Sequence, residues 1–293
     1  MLDGLRGVID GSELIGIVNT GDDLCLHGLQ ICPDLDTITY TLAGLNNSET
    51  GWGLRGESWR VMEELEALGG EAWFRLGDRD LALHLYRTQR LSEGASLSEV
   101  TAELLAHFDV DVTLLPATHG ALSTRFTTPE LGVLSFQEYF VKHRHAVAVS
   151  SVSFEGASRA TPAPGVLDAL EQADLIVISP SNPIISIGPI VAIDAIREAL
   201  VRRRDDVVAV SPLIGGKALK GPADRLLEEL GLSASSLGVA RCYAELAATL
   251  VIDALDGDDA ASVESTGMRC VVAETLMDDA HSAAELARVL LDA

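Results

Sequence analysis

Two acidic knots carry the clearest chemical signal in the sequence. Asp22 and Asp23 follow the short apolar run Ile15 to Val18 in IGIVNTGDD, and Asp34 and Asp36 come soon after in PDLDT. Mg²⁺ takes oxygen ligands, commonly one or two carboxylates completed by water and substrate phosphates, so carboxylates gathered past one strand suit phosphoryl chemistry. Taken singly, each Asp is as readily a turn residue or a helix cap. Together they favour a site. Asp22, Asp23, Asp34 and Asp36 are the candidate metal ligands, Asp34 and Asp36 the candidate catalytic pair, with the division of labour among them open.

A third acidic motif, Arg75-Leu76-Gly77-Asp78-Arg79-Asp80, follows the apolar Trp73-Phe74. Asp78 is a natural helix cap and Arg79 with Asp80 a natural surface ion pair, yet the same residues can face a ligand, with Arg75 reaching an anionic group. Two loops further on follow apolar strands. Pro180-Ser181-Asn182-Pro183-Ile184-Ile185-Ser186-Ile187-Gly188 offers hydroxyls, an amide and backbone N–H groups to phosphate, and Gly215-Gly216-Lys217 offers a second such loop. Neither fits G-x-G-x-x-G or G-x-x-x-x-G-K-[ST], and no G-x-S-x-G occurs. That disfavours hydride transfer, ordinary ATP cleavage and serine hydrolysis. His143 and His145 read as a solvated helix end as readily as acid and base, and stay outside the candidate set.

The elements that position these residues alternate strand, small-residue loop and helix. Ile15 to Val18, Leu175 to Ser179 and Val207 to Ser211 read as strands, the second a continuous apolar run like one buried on both faces. Helices are expected over the first ten residues (Leu2, Leu5 and Ile9 on one face), from Pro164 to Ala173, after Gly188 to Arg203, and from Ala283 to Leu291. Leu250 to Ile252 and Cys270 to Ala273 continue the alternation. This predicts an α/β fold, a Rossmann-like doubly wound and mostly parallel sheet with ligands at the carboxyl ends of its strands.

Residues 44 to 150 read as an inserted α+β segment. It holds a polar loop from Gly44 to Gly56, a helix from Ser58 to Leu68 stopped by Gly69-Gly70, and a helix from Leu81 to Arg90. The capping box Ser96-Leu97-Ser98-Glu99 opens a helix to His107. Val110 to Leu115 reads as a strand, Ser123 to Phe136 as a hairpin, and Phe136 to Arg144 again has helical spacing.

Composition sets outer bounds. Hydrophobic residues at 47% and charged residues at 22% describe a globular chain with enough apolar material for a core. The net charge of −23 disfavours nucleic acid and anionic membranes as partners, because both would repel it. It does not exclude a phosphorylated ligand held by local cations. No apolar run is long enough to span a membrane and no signal-peptide pattern opens the chain, so a cytoplasmic location is expected. Cys25, Cys32, Cys242 and Cys270 are too few and scattered for a disulfide framework and read as packing residues.

The motifs NTGDD at 19–23, PDLDT at 33–37, RLGDRD at 75–80, PSNPIISIGPI at 180–190 and SPLIGGKALKGPA at 211–223, in this order, resemble the 2-phospho-L-lactate transferase (CofD-like) family. FQEYFVKHRH at 136–145 resembles its bacterial branch. The resemblance implies a transferase of coenzyme F420 biosynthesis. It would move a phosphorylated three-carbon acid, 2-phospholactyl or enolpyruvyl phosphate, from a guanosine diphosphate-type donor to the ribityl hydroxyl of 7,8-didemethyl-8-hydroxy-5-deazariboflavin, releasing GMP with Mg²⁺. It further implies a homodimer, and it places Asp36 and Arg75 at deazaflavin-contacting positions. Asn19, Asp78, Arg79, Ser181, Asn182, Ser186, Gly188, Gly215 and Gly216 complete the candidate substrate-binding set. Family members open with a strand and a GGTG loop before the first helix. This chain starts directly in that helix, so residues 1–293 are expected to form one Rossmann-like domain shortened at its N-terminus and weak in activity. The rival is a nonenzymatic relative of the gluconeogenesis-factor type that binds a nucleotide sugar; PDLDT and GDRD argue against it.

Overall fold

The computed structural model describes residues 1–47 and 51–293. Helix α1 (Leu2–Arg6) leads to strand β1 (Ile15–Val18), a small hairpin of β2 (Leu24–Leu26) and β3 (Leu29–Ile31), and α2 (Pro33–Leu42). Three helices, α3 (Arg60–Ala67), α4 (Asp78–Ser92) and α5 (Leu97–His107), precede β4 (Thr113–Pro116). Then come β5 (Ser123–Thr128), β6 (Gly132–Ser135), a π-helical turn at Glu138–Lys142, and β7 (Ser151–Glu155). The remainder is α6 (Val166–Gln172), β8 (Ile176–Ile178), α7 (Gly188–Val191), α8 (Asp194–Arg202), β9 (Val207–Val210), β10 (Leu213–Ile214), β11 (Lys217–Ala218), α9 (Ala223–Glu229) and α10 (Ser236–Tyr243). It closes with β12 (Thr249–Asp253), α11 (Ala260–Glu264), β13 (Arg269–Ala273) and α12 (Ala280–Leu291).

Four parallel strands lie in the order β13-β12-β9-β8, and β1 pairs in parallel with β4 as a separate ladder. Helices cover both faces of the four-stranded sheet. Val166, Leu170, Ile196, Leu200 and Val239 pack with Ile178, Val207, Ala209, Leu250 and Ile252. Leu286 and Leu290 of α12 pack with Val208, Val210 and Val251. Every residue of β9 and β12 is buried, as a parallel strand covered on both sides requires. The chain is therefore a Rossmann-like α/β protein, its parallel strands divided into two ladders rather than one.

Several expectations shift in detail. Leu175 to Ser179 reads as a strand buried on both faces, but β8 is a sheet edge in which only Ile178 is buried. The helix expected after Gly188 breaks at Ile193, whose backbone is extended, into α7 and α8. The hairpins β2–β3 and β10–β11 are too short to carry a periodicity signal. Within the 44–150 segment, β4 joins β1, while β5 pairs with β6 and also with β7, which lies just beyond the segment, in an antiparallel sheet. The polar loop expected over Gly44 to Gly56 falls, at positions 48–50, outside the described residues. Among the described residues no helix is long and apolar enough to cross a membrane.

One buried carboxylate fastens the edge of the sheet that faces the site. Asp253, 2% exposed at the end of β12, accepts hydrogen bonds from Leu255 N, Thr275 N and the Thr275 hydroxyl at 3.0, 3.0 and 2.9 Å. Asp253→Ala leaves these donors unpaired and is expected to cost about 3 kcal/mol. Urea denaturation reads the loss, and a change below about 1 kcal/mol would contradict this role for the side chain.

Candidate active site

The carboxyl ends of β1, β8, β9 and β13 open into a cavity of about 1060 Å³, lined there by Asp22, Ser181, Asn182, Ser211 and Thr275. This is where parallel α/β sheets bind ligands. Helix α2 aims its first turn at the same space. Pro33 supplies the preset φ of a first helical residue, and Asp34 and Asp36 sit where the helix dipole favours negative charge. Asp34, Asp36 and Thr37 line the cavity.

The carboxylates fall into two groups with different electrostatics. In the first, Asn19 ties Asp22 to Asp34: its Nδ2 donates to Asp22 Oδ2 at 2.9 Å and to Asp34 Oδ2 at 3.0 Å, while its Oδ1 accepts from Gly21 N at 2.7 Å. Burial pushes the Asp22 carboxyl well up, and the nearby Asp34 charge adds to it. Burial likewise raises Asp23, against a hydrogen bond with Cys32 and the positive charge of Arg87. Asp34 is raised by burial to about 6, with the Asn19 amide pulling the other way and the Asp36 charge adding to the rise. Asp22 Oδ1 and Asp23 Oδ1 are shut off from solvent and have no hydrogen-bond partner among the described residues.

The second group is built on α4. Asp80, His84 and Arg87 stand at i, i+4 and i+7, so one helix face carries all three inward. Arg87, 1% exposed, grips Asp36 with two nitrogens, NH1 to Oδ2 at 3.1 Å and NH2 to Oδ1. His84 Nε2 stands 3.3 Å from Asp80 Oδ2, and Asp80 Oδ1 accepts the Tyr40 hydroxyl at 2.5 Å. Burial works against the Asp80 carboxylate, but His84, the Tyr40 hydroxyl and the Arg87 charge hold its pKa below the usual value.

The rest of the wall is aromatic and basic. Trp52, Trp73, Phe74, Phe136 and Phe140 line it with Arg75, Arg144, His145 and Lys220. Arg75 lies over the Trp59 ring at 5.0 Å and Lys142 over Trp73 at 5.7 Å, so two cations are held against aromatic faces around this wall. Asn182 Oδ1 accepts from Ile184 N and Ile185 N at 2.9 and 3.3 Å, leaving its buried Nδ2 without a partner. The cavity is thus lined by carboxylates, cations and flat apolar surface together.

Comparison with known proteins decides which family built this site. The family model described as 2-phospho-L-lactate transferase CofD matches residues 1–282. The chain belongs to that family. It is 42% identical over 296 residues to the phosphoenolpyruvate transferase of Streptomyces griseus subsp. griseus, covering 99% of this chain and 93% of the relative. It is 42% identical over 300 residues to that of Nocardia farcinica, covering 99% and 90%, and 40% identical over 298 residues to that of Mycolicibacterium smegmatis, covering 99% and 91%. This CofD-family chain is accordingly a transferase. A crystal structure of a UPF0052-family protein from Bacillus halodurans shares the fold, with a TM-score of 0.64 at 13% identity over 99% of this chain and 94% of that one.

The transferase gathers some of the candidate residues and leaves others outside. Asp22, Asp34, Asp36, Arg75, Ser181, Asn182 and Ser186 line the cavity. Asn19 and the candidate metal ligand Asp23 do not; the Asn19 amide is spent on holding Asp22 and Asp34 together, and the Asp23 carboxyl is buried against Cys32. Asp78 is a cap rather than a ligand contact, since it accepts from the Ser58 hydroxyl and from Arg60 N and Val61 N at the start of α3. Arg79 is exposed and donates to Arg55 O, so the Arg79–Asp80 surface pair is replaced by the buried Asp80–His84 contact. Gly188 lies outside the cavity, where a Cβ would meet the Phe154 ring at 2.8 Å. Gly215 and Gly216, with φ of +59° and +72°, do form an anion nest, but their N–H groups donate to Asp256 at 3.0 and 2.7 Å. Lys220, not Lys217, reaches the cavity from that loop.

Tyr40, His84 and Arg87, which complete this second group around Asp36 and Asp80, were not singled out in the sequence. The signal for the two on α4 was their i+4 and i+7 spacing from Asp80 of GDRD, polar residues on one face of an otherwise amphipathic helix.

The cavity-lining members of the first group, Asp22 and Asp34, suit a divalent cation, because they offer only oxygen donors, with Asp22 Oδ1 buried and without a hydrogen-bond partner among the described residues, on carboxyls that resist ionisation while crowded and desolvated. A raised carboxyl pKa means that the folded state holds the proton more tightly. The stability that Asp34 contributes is present below the unfolded value near 4 and is lost as pH rises through about 6. In metal-free protein, Asp34→Asn is expected to gain on wild type by a few kcal/mol between pH 4 and pH 7.5. Melting temperatures across that range measure it; a pH-independent difference would rule out a raised Asp34.

Proposed function

We propose that this CofD-type transferase acts in coenzyme F420 biosynthesis, moving a phosphorylated three-carbon acid from a guanosine diphosphate-type donor to the ribityl hydroxyl of the deazaflavin and releasing GMP. The observation that carries the reading is the mixed lining of one cavity, in which a carboxylate cluster, the cations Arg75, Arg144 and Lys220, and aromatic side chains all take part. A donor needs its phosphate charge neutralised, and a tricyclic acceptor needs flat apolar surface for its rings. Both requirements are met in one space.

Phosphoryl transfer proceeds mainly by positioning and charge neutralisation, so the side chains have definable tasks. Asp36, gripped by Arg87, accepts the hydrogen bond of the attacking hydroxyl and fixes its direction. Ser181, Ser186 and the unpartnered Asn182 amide donate to donor phosphate oxygens. The hydroxyl oxygen forms its bond to the phosphorus bearing the acid, and the bond from that phosphorus to the GMP oxygen breaks. The proton passes to the Asp34–Asp36 pair and GMP leaves with the bonding electrons. Bound at Asp22 and Asp34, Mg²⁺ supplies charge stabilisation to the diphosphate. Arg75, Trp73 and Phe74 flank the deazaflavin. The relatives' name favours the enolpyruvyl donor over the phospholactyl one.

Chromatographic GMP release from enolpyruvyl-diphosphoguanosine tests this directly. Release is expected only with deazaflavin and Mg²⁺ together; nucleotide-sugar binding with no GMP would instead select the nonenzymatic regulator. Asp36→Asn, checked for native circular dichroism, is expected to lower kcat by at least about 100-fold and to lower the melting temperature as well, because the amide removes the charge and one of the two acceptors that face the buried Arg87. Asp36→Ala is the poorer probe, because it strands the buried Arg87 charge and is expected to cost about 3–5 kcal/mol of stability.

A further inference from the structure

The ligand atoms of Asp36, Asp80 and His84 lie within 4.8 Å of one another, a spacing that suits a divalent cation. The surroundings argue for another occupant of that electrostatic position. Arg87 bonds both oxygens of Asp36, and its NH1 lies 3.3 Å from His84 Nδ1 and 3.4 Å from Gln30 O. A guanidinium only donates, so Nδ1 presents its lone pair to Arg87 and the ring proton resides on Nε2, facing Asp80. Nδ1 is thereby committed to Arg87, while the buried Nε2, 3.3 Å from Asp80 Oδ2, makes no hydrogen bond among the described residues, and His84 is 1% exposed. Asp22, Asp23 and Asp34 differ: among the described residues no ion pair reaches any of the three.

We infer that Arg87 is a built-in cation, a positioning residue that fixes Asp36 and keeps the Asp36–Asp80–His84 trio closed to metal, directing a divalent ion to Asp22 and Asp34. The inference rests on the reading of Asp36 as the hydroxyl-facing group and of Asp22 and Asp34 as the metal side. It divides the acidic residues by their resident charge. Arg87 serves Asp36 and Asp80 permanently, and an exchangeable ion serves the others. A lysine cannot replace it, since one ammonium does not span both carboxylate oxygens.

Mn²⁺ titration followed by electron paramagnetic resonance tests the closure without any substrate. Arg87→Met, checked for native circular dichroism, is expected to bind one Mn²⁺ more than wild type, and Arg87→Met/Asp80→Asn to lose that extra ion. An unchanged count in folded Arg87→Met overturns the inference. So does a wild-type count that falls on Asp80→Asn, because the trio would then already hold metal. The wild-type count itself, and its loss in Asp22→Asn, reports separately on the metal side. Arg87→Lys keeps the charge and covers the case in which Arg87→Met does not fold. It is expected to bind no extra Mn²⁺ and to lower kcat for GMP release by about 10–100-fold with KM for the deazaflavin nearly unchanged. Wild-type kcat in that variant overturns the positioning role, and wild-type protein that releases no GMP marks a failure of the functional reading instead.

Discussion

The buried pair between Asp36 and Arg87 is the contact on which the site depends. It joins the first turn of α2 to the middle of α4, two helices that also meet through the Tyr40–Asp80 hydrogen bond. Removing two charges from water is costly, and a lone buried charge costs far more than a bonded pair. The two helices are therefore held in one relative position, since any slippage exposes an unpaired ion to the interior. Tyr40 and Asp80 extend the same logic along α2 and α4, the Tyr40 hydroxyl bonding the Asp80 carboxylate beside the buried His84.

Local arrangement, not global charge, decides what the cavity attracts. The chain carries 44 acidic and 21 basic residues, yet Arg75, Arg144, His145 and Lys220 all line one cavity. Screening confines the rest of the surface charge to about a Debye length, so an anionic ligand inside the cavity responds to these few cations and to any bound metal. Parallel strands make the convergence possible. They deliver Asp22, Asn182, Ser211 and Thr275 to one edge from distant parts of the chain.

Much of this architecture was legible in the sequence because it is written in local patterns. The Ser96–Glu99 capping box forms as spacing predicts, and the apolar runs at β1, β8 and β9 are strands ending in polar loops. The family was legible too, since NTGDD, PDLDT and GDRD occur together and in order. What stayed hidden was direction. Asp78 and Asp80 differ by two positions on one helix, enough to point one at the backbone of α3 and the other at His84. Whether a glycine N–H is free for phosphate depends on residues far away in sequence, as Asp256 at Gly215 and Gly216 shows. Neither a propensity nor a motif contains that information.

The Asp256 carboxylate in its glycine nest has a further consequence for the loop that carries Lys220 to the cavity. The chain supplies its own anion, so the left-handed turn at Gly215 and Gly216 is set when the protein folds rather than when a ligand arrives. The entropy of ordering that turn is already spent in the free protein, and a ligand meeting the adjacent wall need not supply it again. This corner of the site is a template cast in advance.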